Sequence, residues 1–260
     1  MIIKHPDKGD YPALFALWQE AFGDDEDFIR CFFETAFSPE RCLTVTEDGI
    51  PVAVLYWLDA AAYGKKVAYL YAVATKKSHR GRGLSRMLME HTHRHLQTCG
   101  YAASLLVPGE ASLFGFYEKL AYRPASGLTF LRGIAKDPIA LTPLSPEDYL
   151  ALRETALPKG GVRQKDESLS FLSRFSDFYR CDGAIFALYK DQPEDKSVLS
   201  ALEFLPLEEN SESLPASIAA AMGFQTYSFR TVGNEVPFSL YYPLSSPALP
   251  PPAYLGWAFD

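Results

Sequence analysis

A nearly unbroken apolar and aromatic run, Val67-Ala68-Tyr69-Leu70-Tyr71-Ala72-Val73-Ala74-Thr75, is followed almost at once by Arg80-Gly81-Arg82-Gly83-Leu84-Ser85. The run follows Gly64 and reads as a strand buried on both faces of a sheet. After it, Leu84, Met87, Leu88, His91 and His95 recur at spacings of three and four, which predicts a helix from Leu84 to about Gln97, closed by Gly100. A strand that passes directly into a helix needs a turn, and this turn is glycine-containing and cationic. Gly81 and Gly83 lack a Cβ, so the backbone can curl tightly and approach a ligand, while the N–H groups that open the helix, at Leu84 and Ser85, face outward. Arg80 and Arg82 bring charge-assisted donors to the same place. Such a turn suits a diphosphate.

Upstream, a short strand at residues 1–4 leads to a helix through Leu14, Leu17, Trp18 and Phe22 that Gly23 ends. A second helix is expected over residues 25–37. Its Phe28, Phe32, Phe33 and Phe37 stand too close together for one core stripe; some could line a substrate cleft, but packing between two helices is the preferred reading. Residues 42–46 and 52–58 form a hairpin around Glu47-Asp48-Gly49. Beyond the long helix come a strand at 102–107, a short helix at 112–119 and a further strand at 129–134.

Two blocks in this order, Arg80-x-x-Gly83-x-Ser85 and Leu113-Phe114-Gly115-Phe116-Tyr117-Glu118-Lys119-Leu120-Ala121-Tyr122, resemble the cofactor signature and the Leu-Tyr-Glu-Lys-Leu-Gly-Phe segment of the GNAT superfamily of acetyl-CoA dependent N-acetyltransferases. Ser85 and Ala121 replace the family's usual small residue and glycine; the Ser85 hydroxyl is expected to cap the helix or donate to a phosphate. The resemblance covers roughly the first half of the chain. It implies the GNAT fold, an α/β (α+β) arrangement whose mixed, mostly antiparallel central sheet is flanked by helices.

The second half repeats the first in outline. Asp148-Tyr149-Leu150-Ala151-Leu152 echoes Asp10-Tyr11-Pro12-Ala13-Leu14, and Ser145-Pro146-Glu147-Asp148 supplies an N-cap, a proline and an acidic first turn. An aromatic-rich helical stretch through Leu169, Phe171, Leu172, Phe175 and Phe178 follows, then strands at 184–189 and 198–205, a helix at 214–222 ended by Gly223, and strands at 225–231 and 237–242. No glycine-arginine turn occurs in this half. The expectation is a GNAT domain over residues 1–137 that binds acetyl-CoA, and a smaller, degenerate GNAT-like domain over 138–260 that shapes the acceptor pocket. A length of 260 residues, 48% hydrophobic and 22% charged, accommodates both.

By position, the resemblance assigns Val73, Ala74 and Thr75 to the pantetheine arm and to an N–H that polarises the thioester carbonyl, where charge develops as an amine attacks directly. Arg80, Gly81, Arg82, Gly83, Leu84 and Ser85 hold the diphosphate. Tyr117 matches the family tyrosine near the departing sulfur and is the candidate general acid. The general base is open: the central strand offers only Tyr69 and Tyr71 as polar side chains, Glu110 stands where the family often has asparagine, and Glu26 is a weaker option. The apolar tail Tyr254-Leu255-Gly256-Trp257-Ala258-Phe259-Asp260 suggests docking in the groove between the halves, with the Asp260 carboxylates near the acceptor.

A formal net charge of -7 argues against nucleic acid or an anionic membrane as partner. Lys65, Lys66, Lys76, Lys77, His79, Arg80, Arg82 and Arg86 nevertheless gather along the sequence around the proposed turn, although a solvated loop explains Lys76 and Lys77 equally well. Cys31, Cys42, Cys99 and Cys181 show no Cys-x-x-Cys spacing, which fits reduced thiols in a cytoplasm. No signal-peptide h-region or membrane-spanning run is present. His91 and His95 could meet a metal across one helical turn, but no metal site is expected. Arg86, where a third glycine would fall, removes the dinucleotide reading of the turn. The prolines at 247 and 250–252 read as a stiff spacer.

The function this supports is acetyl transfer from acetyl-CoA to a primary amine, on a small molecule or a peptide, in a ternary complex. An aminoacyl-tRNA dependent transferase of tandem GNAT-like fold and a non-catalytic acyl-CoA sensor are the alternatives. Trp18, Phe28, Phe32 and Tyr69 hint at an apolar or cationic amine, since aromatic faces attract cations. The oligomeric state stays open, a homodimer being one option.

Overall fold

The computed structural model describes every residue except 209, 210, 257, 259 and 260. In chain order the first elements are β1 (Ile2–Lys4), α1 (Tyr11–Phe22), α2 (Glu26–Thr35), β2 (Cys42–Glu47), β3 (Ile50–Ala62), β4 (Lys65–Thr75), α3 (Leu84–Thr98), β5 (Ala103–Leu106) and α4 (Phe114–Glu118). Then come β6 (Gly127–Ile134), β7 (Thr142–Leu144), α5 (Pro146–Ala156), α6 (Asp166–Leu172), β8 (Ser176–Cys181), β9 (Ala184–Tyr189), β10 (Val198–Pro206), α7 (Leu214–Ala221), β11 (Thr226–Gly233) and β12 (Leu240–Pro243).

Contacts group the chain into two compact units. Unit 1 is Met1–Arg123, Gln164–Phe171 and Leu240–Pro250; unit 2 is Pro124–Arg163, Leu172–Ser239 and Pro251–Asp260. The cut expected between residues 137 and 138 thus falls inside a segment of unit 2.

The sheet of unit 1 runs β1-β2-β3-β4-β5-β12, antiparallel throughout except for the β4–β5 pair. Its two hairpins close on left-handed residue pairs, Asp48 (φ 51) with Gly49 (φ 79) and Tyr63 (φ 51) with Gly64 (φ 71), the torsions a two-residue connection between twisted strands requires. The Asp25 side chain caps α2 by accepting from Phe28 N at 2.7 Å. Against the sheet α3 buries Leu84, Leu88, Met89, Thr92, His93 and Leu96 rather than the expected stripe through His91 and His95. His93 is held neutral in the core: its Nε2 lies 2.8 Å from the Tyr122 hydroxyl, which also meets Ser104 Oγ at 2.8 Å, and its ring stacks on Tyr242 of β12 at 4.0 Å. Burial pulls its pKa from 6.5 to about 4.

Unit 2 repeats this order as β6-β11-β10-β9-β8-β7, with β10–β11 the parallel pair. The expected repeat is therefore present as topology, but each sheet is completed by a strand from elsewhere in the chain. Residues 129–134, expected to continue the first half's sheet, belong to β6 and pair with β11, while β12 stands beside β5. The second aromatic helix is also shorter than expected. Helix α6 stops at Leu172, and Phe178 lies on β8, where buried Ser176 and Phe178 alternate with exposed Asp177, the period of a strand. At the centre of unit 2 the fully buried Glu203 of β10 accepts Arg153 Nε at 2.6 Å, Arg153 Nη2 at 2.9 Å and the Tyr149 hydroxyl at 2.7 Å.

Arg153→Met strands a buried carboxylate, so the unfolding transition that includes unit 2 should lose about 3–5 kcal/mol, and Arg153→Met with Glu203→Leu should lose much less; denaturant titration of the two variants checks this. For His93 the unfolded chain binds more protons than the folded one between pH 6.5 and about 4, so stability is full above 6.5 and falls with pH through that window. Between pH 7 and 4 the natural chain should lose about 2–3 kcal/mol more than His93→Phe, read from unfolding curves at each pH.

Candidate active site

The site grows from the parallel β4–β5 pair of unit 1. Strand β4 pairs with β5 only through Val67–Tyr69, opposite Ala103–Leu105, and then runs on to Thr75 beyond the end of β5, so an opening develops along its edge. On the other side Val54 pairs with Ala74 and Tyr56 with Tyr71, leaving Ala72 and Val73 together opposite Leu55. This is a bulge, and Ala72 sits in it at φ 47. A left-handed conformation in a residue with a Cβ costs on the order of 1 kcal/mol, and such strain concentrates at ligand sites. The bulge turns the backbone of Ala72-Val73-Ala74 out of the regular ladder at the mouth of the opening.

A short 3₁₀ turn, Lys77–His79, then carries the chain into Arg80-Gly81-Arg82-Gly83. Both glycines are left-handed at φ 76, and a Cβ at either would meet nothing within 4 Å, so glycine is needed for the torsion rather than for space. No side chain caps α3 at Gly83, so the first-turn amides, including those of Leu84 and Ser85, are left for another acceptor. The Ser85 hydroxyl neither caps the helix nor stands free: it lies 2.8 Å from Thr75 Oγ1 and ties the end of β4 to the first turn of α3.

The two arginines are not equivalent. Arg80 Nε donates to Thr75 O at 3.2 Å, holding the side chain along the turn. Arg82 makes a two-pronged ion pair with Glu47, at 3.0 and 2.7 Å, and His79 Nε2 meets the same carboxylate at 3.0 Å. The Arg82 guanidinium holds the Glu47 carboxyl down at about 2. The sequence carried no signal for this pair, because Glu47 ends β2, 35 residues before Arg82. Lys65 and Lys66, expected near the cationic turn, stand at the opposite end of an 11-residue strand, roughly 30 Å away by strand rise, where Lys66 pairs with Asp59 at 3.7 Å.

Tyr117 lies on α4, only 8% exposed, with its ring against Phe116 and Tyr122 at 5.1 and 5.8 Å. Its hydroxyl has no hydrogen-bond partner among the described residues, and burial pushes its pKa up to about 12. The hydroxyl therefore stays protonated near neutral pH. Glu110 is exposed at the head of the 3₁₀ turn before α4 and accepts from Ser112 Oγ at 3.1 Å. Glu26 is exposed in the first turn of α2. Asp260 lies outside the described residues. Among the described residues no group of histidine, cysteine, aspartate or glutamate forms a metal cluster.

The aromatic residues of α1 and α2 pack mainly on one another. Trp18 meets Phe32, Tyr56 and Tyr71 at 4.8, 5.4 and 5.5 Å, and Phe28 meets Phe171 at 5.2 Å. Within this cluster the Tyr56 hydroxyl, beside the β4 bulge, is buried with no partner among the described residues. Nothing in the sequence singled out Tyr56.

Residues 3–125 match the family model described as an acetyltransferase (GNAT) domain. No curated protein matches the chain by sequence. Among solved structures the fold is similar to a GCN5-related N-acetyltransferase from Kribbella flavida (TM-score 0.73, 16% identity, 95% of this chain and 71% of that one). It is also similar to one from Anabaena variabilis (0.75, 14%, 94% and 73%) and to Eis1 from Mycobacterium abscessus (0.71, 12%, 95% and 74%). At these identities the structures speak for the fold, over both units, and the sequence match speaks for the first half. Residues 3–125 are a GNAT acetyltransferase domain.

Proposed function

We propose that the chain transfers an acetyl group from acetyl-CoA to a primary amine by direct attack within a ternary complex. The observation that carries this reading is the continuous path along β4: an opening on its free edge, a strained bulge at Ala72, and a left-handed glycine turn that ends on the uncapped amides of α3. That path fits acetyl-CoA in its chemistry, an extended amide-containing arm followed by a diphosphate. Acetyl-CoA supplies the activated acyl group and a thiolate leaving group.

The chain's own residues then have distinct tasks. Backbone groups of Val73, Ala74 and Thr75 bind the arm, and an N–H at the bulge faces the carbonyl oxygen where negative charge builds, so it favours the transition state over the ground state. Amides of Gly81, Gly83, Leu84 and Ser85 with Arg80 hold the diphosphate. Arg82 is committed to Glu47 and contributes mainly by holding the turn in shape. Tyr117 delivers a proton to the departing sulfur. For the base, Glu110 through a water and the Asp260 side-chain carboxylate are the two candidates.

Tyr117→Phe should lower kcat about 100-fold while the Kd for coenzyme A, measured calorimetrically, stays within a factor of two; an unchanged kcat removes Tyr117 as the acid. Arg80→Ala should weaken coenzyme A about tenfold with little change in kcat. Deleting residues 257–260 should lower turnover at saturating acetyl-CoA if Asp260 is the base, and full turnover in the truncated chain assigns that role elsewhere.

A further inference from the structure

Unit 2 carries the same structural opening as unit 1, with the opposite charge. Strands β10 and β11 pair in parallel only over Val198–Ala201 and Thr226–Phe229, then β10 continues to Pro206 and β11 to Gly233 without pairing to each other. The shift of register between Ala187 and Leu188 leaves one extra residue, Leu202, on β10, so this central strand is bulged as β4 is. Where the two strands part lies a cavity of about 550 Å³. Phe204, Leu131 and Leu207 give it apolar walls.

In unit 1 the corresponding strand leads into Lys77, His79, Arg80 and Arg82. Here it leads into Leu207-Glu208-Glu209-Asn210-Ser211-Glu212, of which Glu208 and Glu212 line the cavity. Among the described residues neither carboxylate has a cationic partner. Leu207 N donates to Gly183 O at 2.8 Å, and the Ser211 hydroxyl donates to Gly183 O and Glu208 O at 3.0 and 2.8 Å. Thr231 also lines the cavity; it is only 8% exposed, and its hydroxyl has no hydrogen-bond partner among the described residues.

A diphosphate placed here would face two carboxylates instead of two guanidinium groups. An ammonium group would have its charge met by the same carboxylates, an N–H to give to Thr231 Oγ1, and an apolar wall for its alkyl chain. We propose that the strand opening of unit 2 is a binding site for a small aliphatic amine in its ammonium form, a counterpart of the nucleotide opening whose charge has been reversed. Every residue named in this site belongs to unit 2.

The test is methyl NMR of the full chain, without acetyl-CoA, titrated with n-pentylamine hydrochloride, 1-pentanol or coenzyme A. The expected result is a saturable movement of the Leu131, Leu207 and Val232 methyl signals with pentylamine, at least tenfold weaker in Glu208→Gln/Glu212→Gln and at least tenfold weaker for pentanol. Thr231→Val should weaken pentylamine severalfold, and acetyl transfer by the double variant should match the natural chain. Still methyls, equal titration of the double variant, equal titration by pentanol, or movement of the same methyls by coenzyme A would each overturn the proposal. Failure of the amine chemistry of unit 1 would instead appear as absent turnover with these methyl signals unaffected.

Discussion

A parallel strand pair cannot be closed by a hairpin, and this constraint governs unit 1. To lay β5 beside β4 in the same direction the chain must cross over, and the crossover is α3. The helix consequently begins at the far end of β4, with its unbonded amides aimed at whatever lies past the strand. The pair is also short. Only three residues of β4 are matched to β5, so an edge of polar backbone is left beside the helix start, and the bulge at Ala72 turns that backbone further. Opening, bulge and anion turn are thus consequences of one connection rather than three separate inventions.

The same constraint operates in unit 2 through β10, α7 and β11, and the two outcomes separate what the fold supplies from what side chains add. Both units have the parted strands and the bulged central strand. Only unit 1 follows its strand with left-handed glycines and arginines; unit 2 follows it with carboxylates. Its central strand also carries Glu203, but that carboxylate is bonded to Arg153 and Tyr149 and wholly buried, which makes it part of the core.

Much of this was legible in the chain itself, for reasons that can be named. Helix ends at Gly23 and Gly223, the hairpin at Asp48-Gly49 and the turn at Gly81 and Gly83 all depend on backbone torsions that glycine and its neighbours determine locally. The aromatic residues of α2 pack as expected because large rings leave water wherever they can. Other features depended on partners distant in sequence. Arg82 reads as a phosphate ligand until Glu47 is seen beside it, Lys65 and Lys66 read as part of the cationic turn until the length of β4 separates them from it, and His93 looks no different from His91 or His95 until α3 shows its buried face.

The sequence by itself determined the strand–turn–helix that suits a diphosphate, the family match of residues 3–125 and the outline of a repeat, because torsional preferences and apolar periodicity act over a few residues. Only the tertiary structure decided that β6 completes the sheet of unit 2 and β12 that of unit 1, since any exposed strand edge can accept any apolar strand and the choice rests on long-range packing. The same long-range packing bound Arg82 to Glu47, buried the His93 and Tyr117 rings in unit 1, and placed Thr231 in the wall of the unit 2 cavity.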